Sequence, residues 1–142
     1  MNIPTLTTRE EIERLQKVMA TMPQVELPTK HHFAQGLYCR ELFRPAGTTI
    51  VGKVHKRGHF YIVLSGIVSV VGGEKPETFE APVIIVSQPG TKRAVFAHTD
   101  AICITVHATD LTDLEAIEAE LIEPDETALF DANNQMKPEL LK

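Results

Sequence analysis

Lys53-Val54-His55-Lys56-Arg57-Gly58-His59-Phe60-Tyr61-Ile62-Val63-Leu64-Ser65-Gly66 is the stretch whose reading decides the fold. Two β-forming runs flank the turn signal Lys56-Arg57-Gly58. The two-residue period of a strand puts Lys53 and His55 on one face of the first run, and His59, Tyr61 and Val63 on one face of the second. A break this short predicts an antiparallel hairpin in which His55 and His59 face each other.

Outward from this hairpin, short β-rich runs recur at 36–43, 48–54, 59–64, 66–71, 83–87, 92–97 and 101–108. Turn signals such as Pro45-Ala46-Gly47, Ser65-Gly66, Gly72-Gly73 and Pro89-Gly90 separate them. Parallel strands need long crossovers, so this spacing predicts an antiparallel sandwich or barrel. Helical periodicity marks both ends. Thr8 with Glu11 makes a capping box, and Ile12, Leu15, Val18, Met19 and Met22 follow at helical spacing up to Pro23. Thr112 with Glu115 makes a second, ahead of a Leu114, Ile117 and Leu121 stripe that stops at Pro124. The expected organisation is one domain, with a helical arm over 1–28, a barrel over 29–110, and a helix with an acidic tail over 111–142.

A chain of 142 residues with 43% hydrophobic and 23% charged residues and a formal charge of −5 has an ordinary globular profile, which argues against a nucleic-acid partner. Its termini hold most of the carboxylates, while Lys53, Lys56, Arg57, Lys92 and Arg93 fall mid-chain, predicting a local basic site in an acidic protein. Cys39 and Cys103 lack any paired spacing and read as small buried hydrophobes in a reducing compartment. The N-terminal residues lack the basic-then-apolar order of a signal peptide, and no apolar run approaches the ~20 residues that cross a bilayer. The expectation is a cytoplasmic protein with no membrane partner.

Two imidazoles on neighbouring strands suit a divalent metal, whose third ligand would come from elsewhere in the barrel. His107 is the candidate. Cys103, Thr105 and His107 alternate with Ile102, Ile104 and Val106, and if the aliphatic triplet packs under a helix, the polar one faces the cavity. The competing reading makes all three histidines surface or hydrogen-bonded strand residues. A second constellation follows the Pro89-Gly90 turn, where Arg93, Val95 and Ala97 share a face. An inward guanidinium needs an anionic partner, either an internal carboxylate such as Glu41 or a ligand phosphate or carboxylate, with Lys53 nearby as a point charge. Tyr61 and His32 are candidate pocket-wall residues. The doublet His31-His32 lies before the first expected strand, over the cavity mouth or in a solvated loop. No nucleophile elbow, phosphate-cradling glycine loop, HExxH or paired-cysteine zinc pattern occurs.

Residues 36–108 resemble the cupin superfamily. Its first motif puts two histidines two apart on one strand, a glutamate a short turn later, and a glycine after the next strand; the matching positions are Lys53, His55, His59 and Gly66. Its second motif, a Pro-Gly turn followed by a histidine, corresponds to Pro89-Gly90-Thr91-Lys92-Arg93. Only His55 keeps the ligand identity of the pattern, so a metal site would be rebuilt from His55, His59 and His107. The strings Gly52-Lys53-Val54-His55 and Thr105-Val106-His107 also look like small cupin-like proteins of tailed phages and bacteria, largely without assigned activity. Arg93-Ala94-Val95 is faintly similar to the arginine end of the phosphate cassette in cyclic-nucleotide-binding domains.

The resemblance implies a mainly β, jelly-roll antiparallel barrel with an N-terminal and a C-terminal helix. Two functional readings stand. In one, a divalent metal on His55, His59 and His107 accompanies an anionic small molecule oriented by Lys53 and Arg93, with or without catalysis. In the other, a non-catalytic module sequesters or senses a nucleotide-like ligand through Arg93 and Lys53 without metal. A homodimer joined through edge strands and terminal helices is compatible with both.

Overall fold

The computed structural model describes residues 8–73, 75–125, 128–135 and 137. Helix α1 (Arg9–Met19) starts where the capping box places it: Thr8 accepts the Glu11 amide at 3.1 Å and donates its hydroxyl to Glu11 Oε1 at 2.9 Å. Nine strands follow, β1 (Thr29–Ala34), β2 (Leu37–Arg44), β3 (Thr49–Val51), β4 (His59–Ser65), β5 (Ile67–Val71), β6 (Glu77–Glu80), β7 (Val83–Ser87), β8 (Ala94–Ala97) and β9 (Ala101–Ala108), and then helix α2 (Leu114–Leu121). All pairings are antiparallel. They make a five-stranded sheet in the order β1-β2-β9-β4-β7 and a four-stranded sheet in the order β3-β8-β5-β6.

The two sheets face each other. Tyr61, Val63, Ala101 and Cys103 of the larger sheet pack with Val68, Val70 and Val95 of the smaller, and this alternating apolar set is the core. Among the described residues the strands form two sheets, not the single hydrogen-bonded cylinder that the word barrel implies. α1 buries Ile12 completely against Val51, Val71 and Ala94 and so closes over the smaller sheet. α2 lays Ile117 and Leu121 on Tyr38 and Ile122, at one end of the space between the sheets.

Four sequence expectations need correction. The segment from Lys53 to Gly66 is not a hairpin: β3 belongs to the smaller sheet and β4 to the larger, so residues 52–58 cross between sheets. Their backbone is satisfied by the chain around the end of α2, through His55 bridging Ile122, Lys56 N–H to the Leu121 carbonyl (2.7 Å) and Glu123 N–H to the Val54 carbonyl (2.9 Å). The cap of α2 is Asp113, which accepts the Ala116 amide at 2.9 Å, not Thr112, so the helix starts one residue later than the capping box placed it. The aliphatic triplet Ile102, Ile104 and Val106 is left half-exposed on the outside of the sheet, because α2 packs on Tyr38 instead. Finally, β1 and β6 are edge strands absent from the expected set: Thr29–Ala34 and Glu77–Glu80 are mostly exposed and polar, so neither carries an apolar alternation.

Gly66, at φ 89°, turns β4 into β5 so tightly that a Cβ would meet the Asp100 carbonyl and Ala101. Gly66→Ala is therefore expected to destabilise the protein by about 2–4 kcal/mol, read as a lower urea midpoint at unchanged slope.

Candidate metal and anion site

β9 is the central strand that positions the site. Its burial alternates residue by residue, with Ala101, Cys103, Thr105 and His107 buried and facing the smaller sheet. His107 is thereby brought against His59 at the start of β4 and His55 in the crossing segment. Ring centroids are 4.0 Å apart for His55 and His59, 5.0 Å for His55 and His107, and 4.7 Å for His59 and His107. One ligand nitrogen from each lies within 4.8 Å of the others.

The imidazoles are held neutral. Burial is the main cause, followed by mutual repulsion and the Arg40 charge, and it pushes His55 down to about 2 and His107 down to about 3. His59 is lowered too, by burial first and then by Arg93 and Arg40. Neutral imidazole is the form that coordinates a metal. His107 Nε2 contacts Thr105 Oγ1 at 2.9 Å, an outer contact that fixes its ring. His59 Nδ1 is buried with no hydrogen-bond partner among the described residues. Three clustered imidazoles, each offering one nitrogen, fit a borderline-soft divalent ion.

His55 and His59 also border a cavity of about 110 Å³ between the sheets. Its polar lining is Arg40, Arg44, Lys53, Tyr61, Ser87, Thr91, Arg93, Thr105 and Asn134, with no aspartate or glutamate among the described residues. Arg93 precedes β8, donates to Ser87 Oγ at 2.7 Å, and has its basicity lowered by burial. Glu41, the alternative partner, points to the opposite face of β2 and meets Lys30 and His32 there. Lys53 stands at the rim, where its ammonium pairs with Glu118 of α2; burial lowers its basicity and Glu118 partly restores it. Tyr61 is buried on the β4 face it shares with His59, and burial drives its phenol pKa up, so it is a protonated donor. His32 stands apart from all of these, exposed on β1 and 3.1 Å from Glu41.

The sequence reading missed Arg40 and Arg44. Both lie on the inward face of β2 with Tyr38 and Leu42, and the signal was that parity: two arginines in phase with the apolar residues of one strand. Arg40 Nε donates to Tyr38 Oη at 3.0 Å, and the same oxygen contacts His31 Nδ1 at 2.7 Å.

Two facing antiparallel sheets in this strand order make the cupin fold. Solved structures agree. A cupin superfamily protein from Desulfitobacterium hafniense superposes with a TM-score of 0.52 at 8% identity, covering 65% of this chain and 88% of its own. An uncharacterized conserved protein with a double-stranded β-helix domain from Klebsiella pneumoniae gives 0.53 at 17% identity over 68% and 90%. The Cnp3 cupin domain of Schizosaccharomyces pombe gives 0.52 at 15% identity over 65% and 72%. No protein-family model and no curated protein matches the sequence. At these identities the likeness establishes the fold, and the site has to be argued from its own residues.

Proposed function

We propose that the protein binds a divalent metal through His55, His59 and His107, together with an anionic small molecule held by Arg93 and the other cations of the same cavity. The observation that carries this reading is the charge of the lining: four cationic side chains, of which only Lys53 has a carboxylate partner, and two of the three clustered histidines border one cavity whose lining holds no carboxylate among the described residues. Such charges, partly removed from water, destabilise the fold unless an anion joins them. A divalent ion held by these three imidazoles would supply a Lewis acid that polarises a bound water or anionic ligand.

The residues divide the work. Arg93, anchored by Ser87, presents its remaining donors to an anion, while Lys53 guards the rim and Tyr61 offers a neutral donor. Since no carboxylate lines the cavity to move a proton, the reading is of binding in the first place. Metal analysis of tag-free protein tests it: about one equivalent in the wild type and almost none in His55→Ala/His59→Ala is expected. Equal, near-zero metal in both would leave the binding module without metal as the surviving reading.

For the second copy, which the sequence reading joined through edge strands and terminal helices, we propose a different surface. Phe43, Phe60, Leu64, Ile84 and Val86 are 37–65% exposed on the outer face of the larger sheet, where the register sets Phe60 beside Val86 and Ile62 beside Ile84. Together they expose on the order of 500 Å² of apolar surface, approaching the ~800 Å² per partner of a standard interface. A twofold pairing of this face buries it against itself. Wild-type protein is expected to run as a dimer in light scattering and Phe60→Glu/Ile84→Glu as a folded monomer; a monomeric wild type would refute the pairing.

A further inference from the structure

Arg44 is the charge that the rest of the molecule does not explain. It ends β2, is 4% exposed, borders the cavity, and finds no hydrogen-bond partner for Nε or Nη1 among the described residues. No salt bridge to it is formed among those residues. Its guanidinium carbon lies 6.0 Å from the centroid of the Tyr61 ring, and its polar neighbours are the Tyr61 hydroxyl and the Cys103 thiol; the Tyr61 hydroxyl too is buried and makes no hydrogen bond of good geometry among the described residues. A buried donor without a well-formed hydrogen bond is unusual and a buried cation with two of them rarer, because the neutral ring and thiol beside it replace only part of its hydration. Two such groups side by side on one cavity wall have the chemistry of a receptor for an oxyanion: a fixed positive charge, planar N–H donors and a phenolic O–H.

The cavity has room for several waters in about 110 Å³ and is partly open to solvent, so an acid group the size of a carboxylate or phosphate fits inside it. Tyr61 is two residues from His59 on the same face of β4, roughly 7 Å along the strand. Arg44 lies beyond Tyr61, so the guanidinium and the histidine cluster bracket a span that a short chain bridges.

We propose that Arg44 and Tyr61 form an oxyanion subsite distinct from the histidine cluster, and that the physiological ligand is an organic acid whose carboxylate or phosphate seats there. This rests on the anion-binding half of the function above and is independent of the metal half. It carries a stability signature that a structural arginine would not have. Arg44 is held at a cost in the ligand-free protein, so removing its charge while keeping its bulk stabilises that state and abolishes the response to anion.

The test is thermal denaturation of wild type, Arg44→Met and Tyr61→Phe in chloride and then, at equal ionic strength, in malonate, succinate or inorganic phosphate, each with and without zinc. In the wild type at least one of the three anions is expected to raise the Tm above its value in chloride, and which one does so separates carboxylate from phosphate recognition. Arg44→Met is expected to melt at or above the wild-type temperature in chloride, to show no anion-dependent rise, and to keep its response to zinc. Tyr61→Phe, which keeps the cavity shape, is expected to weaken the apparent anion affinity several-fold at unchanged stability in chloride. An anion response without a zinc response upholds the subsite while removing the metal. An Arg44→Met protein that melts lower in chloride yet still responds to anion overturns the proposal. So does a wild type that responds to zinc and to none of the three anions, which would leave the metal site standing alone.

Discussion

Replacing His55 and His59 together by alanine is expected to reduce divalent metal affinity by more than 10³-fold, leaving His107 as a lone buried imidazole. Each nitrogen contributes to a site whose selectivity for nitrogen-favouring ions such as zinc, nickel or cobalt comes from donor type and number. Removing two of three donors from one cluster takes away the chelate that a third cannot supply. Competition against a chromophoric chelator reads the effect, with far-ultraviolet circular dichroism confirming that the variant is folded. Thr105→Val is the finer control. It deletes the contact that orients His107 and keeps every donor, so a loss on the order of 10–100-fold is expected, the range typical of groups that orient a metal ligand. A double variant that binds zinc as tightly as the wild type would show that the histidines are packed rings and nothing more.

The second large effect is acid sensitivity of the metal-free protein. In the folded chain His55 titrates at about 2 and His107 at about 3, whereas an unfolded histidine titrates near 6.5. Below pH ~6.5 the unfolded chain therefore takes up protons that the folded chain refuses, and stability present above that pH is lost as the pH falls towards the folded values. Each such histidine contributes up to about 1.4 kcal/mol per pH unit, so lowering the pH from 6.5 to 5 is expected to remove about 1.6 kcal/mol per histidine, before surface carboxylates titrate. Urea midpoints at pH 7.5, 6.5 and 5 measure this. Zinc, which binds the neutral rings, is expected to raise the whole profile with its slope unchanged, because the folded histidines carry no protons for it to displace over that range. Stability constant between pH 7.5 and 5 would mean that the cluster is wetter and less strained than its burial implies.

Several of these groups could be read from the sequence and others could not, for identifiable reasons. Strand parity was sufficient for the buried face of β9, because Cys103, Thr105 and His107 alternate without a bulge across all eight residues of the strand. Capping chemistry was sufficient for α1, whose Thr8 and Glu11 close on each other as their spacing requires. The pairing of His55 with His59 was anticipated on a hairpin, yet the structure brings these rings together by a crossing between sheets whose hydrogen bonds come from residues 121–123. Long-range partners of this kind leave no local pattern. Glu118 on α2 is another: it meets Lys53 from 65 positions away, and only the docking of that helix makes them neighbours. Arg40 and Arg44 were legible in principle, since they share the phase of Tyr38 and Leu42, but a charged residue in an apolar row is ordinarily assigned to the solvent side. The same assumption hides binding charges in any sequence, because a site that holds an anion has to break the rule that buried faces are apolar.

Much of the electrostatic character of the cavity follows from one arrangement. Arg40 lowers the basicity of all three histidines, and it is itself steered by Tyr38, whose ring stacks on His107 at 5.8 Å between centroids. The cationic wall thus keeps the imidazoles deprotonated and available while opposing the arrival of a further cation. An anion relieves that opposition, so metal and anion binding are expected to favour one another, with the reciprocity that linkage requires.

The most direct measurement of the central claim is anomalous diffraction at the zinc edge from crystals of tag-free protein grown with zinc and succinate. The account predicts one strong peak within bonding distance, about 2.0–2.1 Å, of a nitrogen from each of His55, His59 and His107. A peak confined to surface carboxylates, or no peak among the three imidazoles, would contradict it.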